Sequence, residues 1–258
     1  MRKVFNVFIS AVLSICFFFT ALPNSALALG NQYDFDGDGK KDELTVSFAL
    51  TEDYGNEAHR AFIDINGSSI NIYPKDEFSD QPAFYAEYVI VDIDKTDGRK
   101  ELLFIEHGQD EVDYYSFVGY DGQDVFELGY MYGSGEIDEL LIEGNGIVRV
   151  PTMSWVLQTW PLYFDYELKN DKLVKSKQSI YPSVDTPQVT VKKSFVVYKK
   201  RSTKADKFTL KKGAVITLIA SDDKKWVKFE DSNGTVGWIR VDRMENPDTY
   251  LSDLVFSQ

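Results

Sequence analysis

The chain beyond its first 29 residues is expected to be all-β, and three observations lead there. Apolar residues recur at alternate positions in short runs, as in Leu44-Thr45-Val46-Ser47-Phe48 and Phe195-Val196-Val197-Tyr198, which is the period of a pleated strand. Asn-Gly or Asp-Gly separates several such runs, at Asn66-Gly67, Asp121-Gly122 and Asn233-Gly234, and these dipeptides are the strongest short-range hairpin signal. An acidic loop leading into a strand occurs at Asp34 and again 58 residues on at Asp92, which marks an internal repeat.

The N-terminus is expected to be a secretory signal over residues 1–29. Arg2 and Lys3 form a basic head, residues 4–22 are almost wholly apolar, and Ala26-Leu27-Ala28 places small residues where a signal peptidase reads. The only cysteine, Cys16, lies inside the apolar run without a lipoprotein-type cleavage site around it. The mature chain therefore carries no disulfide, no thiol metal site and no cysteine nucleophile. A secreted protein without a permanent membrane anchor is expected.

Charge divides the remainder. Residues 31–185 hold 32 acids against 12 bases, a net of −20, while residues 186–258 hold 9 acids against 14 bases, a net of +5. The acidic part argues against nucleic acid and suits cation binding, and the basic part suits an anionic surface such as a Gram-positive wall. Domain boundaries follow: an acidic β-repeat region over 30–179, a linker over 180–187 where two prolines interrupt the pattern, a basic module over 188–245 and a tail over 246–258.

The first loop, Asp34-Phe35-Asp36-Gly37-Asp38-Gly39-Lys40-Lys41-Asp42, sets carboxylates at alternate positions around a glycine bend. That arrangement converges oxygens on a hard cation, and calcium takes roughly 6–8 oxygen ligands in flexible geometry. Asp34, Asp36, Asp38 and Asp42 are expected as side-chain ligands, with the Lys40 carbonyl and water completing the shell. A helix-loop-helix calcium hand is excluded, because it needs an acid at its twelfth position and helical flanks; the twelfth residue from Asp34 is Thr45 and the flanks are strands.

Hairpins are expected over 61–73 and 114–130. The second loop carries Asp92, Asp94, Asp97 and Glu101 with one inserted residue. Two readings stand for it: a weaker calcium site in a larger ring, or a loop in which the charges of Lys95 and Arg99 replace the ion. A third copy runs through Leu140–Val148 and a hairpin over 163–174, its loop stripped of acids, and no metal is assigned to it.

Asp-x-Asp-x-Asp-Gly-x-x-Asp before a short apolar strand, repeated with hairpins, resembles the FG-GAP and VCBS-type repeats of integrin alpha propellers and bacterial secreted proteins. The resemblance implies loops in which calcium pins the ends of adjacent strands, so the site is structural. It covers about 33–176 and implies either a propeller-like or a compact β-repeat domain of two to three repeats.

Trp155 and Trp160, beside Pro151 and Pro161, are candidates for a carbohydrate-stacking platform. For catalysis the chain offers little. His59 and His107 stand in no zinc or nucleophile motif. Asp110, Glu111 and Asp113 are the nearest approach to a glycosidase acid pair, in a chain with 41 acids where such coincidences are expected. No enzyme is expected.

The module at 188–245 reads as short strands with Lys212-Gly213 and Asn233-Gly234 turns. Leu210-Lys211-Lys212-Gly213, Trp226-Val227-Lys228 and Gly237-Trp238-Ile239 resemble a bacterial Src-homology-3-like barrel. That resemblance implies attachment to peptidoglycan or another cell-wall polymer. Lys199, Lys200, Arg201 and Trp238 are the candidate ligand contacts. The expected whole is a secreted, non-catalytic binding protein of the bacterial envelope, its barrel on the wall and its calcium-stabilised repeats presenting a surface for a protein or carbohydrate. The alternative is a wall-acting hydrolase or inhibitor with the acidic domain as the active part.

Overall fold

The computed structural model describes residues 27–28, 33–51, 58–72, 84–107, 113–134 and 139–256. The apolar run at 4–22, Asp110 and Glu111 lie outside the described residues, as do the side chains of His59 and His107. Among the described residues the architecture is nearly all β, in three sheets, and no helix is long and apolar enough to cross a membrane.

The first twelve strands form three antiparallel meanders. The first comprises β1 (Leu27–Ala28), β2 (Leu44–Thr51), β3 (Ala58–Ile65) and β4 (Ser68–Ile72), each pairing with the next. The second comprises β5 (Phe84–Val91), β6 (Glu101–His107), β7 (Asp113–Tyr120) and β8 (Val125–Gly133). The third comprises β9 (Leu141–Ile142), β10 (Ile147–Ser154), β11 (Trp160–Leu168) and β12 (Leu173–Lys175). One parallel contact, His59 to Phe84, joins the first two into a single sheet. In each meander the loop singled out above links the first strand to the second. Asn66 and Gly67 turn the β3–β4 hairpin with positive φ at both residues, 53° and 87°, as a two-residue primed turn requires.

The cores explain the sequence pattern of the strands. Leu102 and Phe104 of β6 point into a cluster with Phe35, Val46, Ile63 and Ile72, while Leu103 and Ile105 point into a second with Ile93, Phe117, Val148 and Val150. A strand covered on both faces has no solvent side, so it reads as a continuous apolar run. In the third meander Val148 and Val150 cover the second meander, and Trp160, Leu162 and Phe164 enter a cluster with Val189, Ile216, Val227 and Phe229 of the C-terminal region.

That region holds β13 (Tyr181–Pro182), β14 (Gln188–Val191), β15 (Phe195–Tyr198), β16 (Lys207–Leu210), β17 (Val215–Ser221), β18 (Trp226–Asp231), β19 (Val236–Arg240) and β20 (Leu251–Ser252). The sheet runs β16-β15-β19-β18-β17-β14-β20, with β13 paired to β17. The 180–187 segment is thus a structured strap. Tyr181 and Pro182 extend the C-terminal sheet, Ser183 bridges Leu162 of β11, and the Tyr181 ring stacks on Phe164 at 4.2 Å. The Ser154 hydroxyl also donates to Asp223 at 2.8 Å.

Candidate functional site

Phe35 anchors the first loop by entering the core between two acids. Its N–H donates to Asp42 Oδ2 at 2.7 Å, and Asn66 Nδ2 donates to Asp42 Oδ1 at 2.6 Å. Asp42, 5% exposed, therefore staples the loop to the β3–β4 turn. Asp34 curls the chain around itself, accepting the N–H groups of Gly37 (2.8 Å) and Gly39 (2.9 Å). Asp34, Asp36 and Asp42 each bring an oxygen within 4.8 Å of the others. A carboxylate offers about four lone-pair sites, so these hydrogen bonds leave capacity for a cation. Asp38 stands outside the group of three carboxylates. The Lys40 ammonium lies 2.7 Å from Asp38 Oδ2, and that contact holds the exposed Asp38 carboxyl below its ordinary range.

The second loop repeats the staple with a longer acid. Ile93 fills the place of Phe35, and its N–H donates to Glu101 Oε2 at 2.9 Å. The other acids disperse onto local partners. Asp94 accepts from the Thr96 hydroxyl and N–H, which hold its pKa low, and Asp97 accepts from Arg99 N–H at 2.9 Å. Asp92 pairs with the Lys100 ammonium, its other oxygen buried without a hydrogen-bond partner. Lys95 and Arg99, the expected replacements for an ion, are turned elsewhere. Lys95 donates to the Glu143 carbonyl (3.0 Å) and Arg99 to Asp171 (2.9 Å), so the internal cation is Lys100. Glu101 is 3% exposed. Burial, then the nearby charges of Asp97 and Asp92, push its carboxyl up to about 7 against the pull of Ile93 N–H and Lys100.

The loops form a ladder. Lys100 N–H donates to the Phe35 carbonyl at 3.4 Å, and Gly146 N–H donates to the matching Ile93 carbonyl at 2.8 Å. Gly37 fits against loop two so closely that a Cβ there would stand 3.1 Å from the Asp97 carbonyl oxygen.

The two tryptophans diverge. Trp155 is 66% exposed on the β10–β11 turn, whereas Trp160 is 2% exposed in the core, its indole N–H donating to the Val156 carbonyl at 3.1 Å. Trp160 is therefore no stacking platform; Pro161 beside it sits in regular register opposite Met153 and marks no irregular surface.

In the C-terminal sheet Lys199 lies 3.6 Å from Asp206 and Lys200 is exposed. Arg201 donates to the Ser179 carbonyl and stands 3.9 Å from Asp222, which makes it an anchor for the strap. Trp238 is half-buried, opposite Tyr198 and Lys228 in register. Trp226 is buried edge-on to Tyr198 at 5.1 Å.

Asn66 and Lys100 carry parts of this geometry that sequence reasoning missed. Asn66 had a signal as a turn residue, but its second role, closing an acidic loop 24 positions away, has no local signature. No family model matches the chain, and neither the curated proteins nor the solved structures returned a match. Fold and loops together define the class: among the described residues, a nearly all-β protein of successive antiparallel meanders in which the first loop gathers three carboxylates.

Proposed function

We propose that the chain is a non-catalytic binding protein of the bacterial envelope, with a calcium-stabilised, propeller-like repeat region and a Src-homology-3-like module that attaches it to a wall polymer. The observation that carries the wall reading is the C-terminal connectivity. β14 pairs with both β17 and the last strand β20, β17–β18–β19 is a meander, and a 3₁₀ turn (Val241–Arg243) precedes the return to β20. The β15–β16 hairpin packs beside β19. This order agrees with the small barrel that Leu210–Gly213 and Gly237-Trp238-Ile239 resemble. Three antiparallel meanders, each with its loop leading into its second strand, support the repeat reading; Leu27–Ala28 lies within the expected signal, so the mature first meander keeps β2, β3 and β4.

For the cation, three carboxylates and nothing softer converge in the first loop, a donor set suited to a hard divalent ion. Asp34, Asp36 and Asp42 would hold calcium, which supplies charge neutralisation at a point where three acids share one turn. Sedimentation of the full chain with purified peptidoglycan at low salt tests the wall reading. Co-sedimentation that falls with added salt and with Lys200→Glu is expected. Protein left in the supernatant overturns the reading, and release of soluble muropeptides would replace it with a hydrolase. For calcium, native mass spectrometry is expected to find one ion per chain, lost in Asp36→Ala.

A further inference from the structure

The outer face of the third meander carries a groove that the acidic loops do not use. Arg149 and Asp165 are direct cross-strand partners on β10 and β11, and Pro151 and Tyr163 are the next pair. They alternate with Val148 and Val150, which enter the core, so they rise from the opposite face. Beside β11 the chain comes back along residues 178–183, which lead into the strap. Gln178 fastens it: its side-chain oxygen accepts Asp165 N–H at 2.8 Å, and its NH₂ donates to the Tyr163 carbonyl at 3.4 Å. A side-chain amide thus stands in for a strand's peptide at the β11 edge. Ser183 reattaches the strap opposite Leu162, and Arg201 holds it from the other side through the Ser179 carbonyl. Between these attachments lies an open groove of about 540 Å³, within the size range of small-ligand sites.

Its chemistry is specific. The Arg149 Nε donates to Asp165 Oδ1 at 3.2 Å, and the two side chains remain 37% and 22% exposed. A guanidinium edge and a carboxylate lie together, so strong donors and strong acceptors alternate over a few ångströms. Vicinal hydroxyls, each both donor and acceptor, match that alternation. Tyr163, Leu141 and Ile180 supply apolar lining for the carbon face of a ring. Charge selects further. Glu143 stands 4.0 Å from Arg149, and Glu139 and Asp185 act on the Tyr163 hydroxyl, whose pKa is raised first by burial and then by those acids. Among the described residues Arg149, and Arg201 at the Ser179 carbonyl, are outnumbered by Asp165, Glu143, Glu139 and Asp185, so an anionic ligand is disfavoured.

We propose that this groove binds a neutral pyranose chain. The site stands apart from both the calcium loop and the wall-attachment reading, and its failure leaves each of them intact. Saturation-transfer NMR and calorimetry on the full chain, with chitotriose, cellotriose and maltotriose as neutral probes and trigalacturonate as the anionic one, test it. At least one neutral trisaccharide is expected to bind in the millimolar range or tighter. Arg149→Lys, which keeps the charge and loses the planar fork, and Tyr163→Ala are each expected to weaken binding about tenfold, the scale of one charged hydrogen bond or one ring contact. Unchanged far-UV dichroism and melting in Arg149→Lys separate that loss from misfolding. Lack of binding by all three neutral probes overturns the proposal. So does preference for trigalacturonate, or neutral binding that survives both substitutions.

Discussion

Asp42 and Glu101 hold the same position in two loops, and the one-carbon difference between them accounts for much of the chemistry. The inserted residue widens the second loop, and the longer side chain still reaches the N–H of its core residue. Glu101 is buried more deeply in acidic company, and its folded pKa of about 7 exceeds the roughly 4.3 of an unfolded glutamate. A carboxyl raised in the folded state makes folding take up a proton, so stability falls as pH rises from about 4.5 to about 7. With chelator present, thermal melts are expected to lose up to about 3 kcal/mol across that window, and Glu101→Gln is expected to flatten the profile. Lys100 supplies the opposing charge. Lys100→Met is expected to destabilise the chain by about 1–3 kcal/mol, since Asp92 then loses its one charged partner, and denaturant titration measures it. Gly37 and Gly39 both adopt positive φ, 79° and 86°, yet only Gly37 abuts another loop. Replacement of either by Ala costs about 1–2 kcal/mol of left-handed strain; Gly37→Ala is expected to cost more and to loosen the ladder, visible as faster amide exchange at Lys100.

At the level of elements, the sequence was a good guide wherever one period or one turn decided the outcome. The turns at Asn66-Gly67 and Asp121-Gly122 and the short alternating runs of the 188–245 module all lie in or between strands, because alternation and turn chemistry are local. The loops were legible as acidic turns, but which acids converge was not. Asp34, Asp36 and Asp42 meet while Asp38 turns to Lys40, a choice made by Asn66 and the core position of Phe35. Trp160 was misread because the proline after it suggested broken structure, whereas an edge of β11 accommodates Pro161 in register. The strap at 180–187 was misread for the same reason. Its hold on β11 comes from the Gln178 amide and the Ser183–Leu162 bridge, and its hold on the C-terminal sheet from the Arg201 guanidinium, contacts that no pattern in a single segment announces. Gly237 shows the converse, a motif residue with a packing reason. A Cβ there would lie 2.5 Å from Phe229 Cζ, so Gly237→Ala is expected to cost about 1–3 kcal/mol through overpacking, read as a lower midpoint in urea.

Among the described residues three hydrophobic clusters succeed one another from the first loop to the last strand. The second meander is covered by the first on one face and by the third on the other, and the third in turn shares its core with the C-terminal sheet through Trp160, Leu162 and Phe164. The division in charge near residue 185 therefore does not coincide with a division in packing. A cut at 187 would strip Leu157, Trp160, Leu162 and Phe164 from Val189, Ile216 and Val227 and would remove β13 from the edge of β17. Burial of each large apolar side chain is worth roughly 1.5–3 kcal/mol, and a small domain has only about 5–15 kcal/mol in all. The fragment 188–258 is accordingly expected to melt well below a fragment 139–258, to bind a hydrophobic dye and to lose amide protection along β17. Equal midpoints for the two fragments would show that the C-terminal sheet is self-sufficient. A lower midpoint for 188–258 would mean that the C-terminal sheet and the third meander are one mechanical unit, so that load on the sheet reaches β11 and the strap directly.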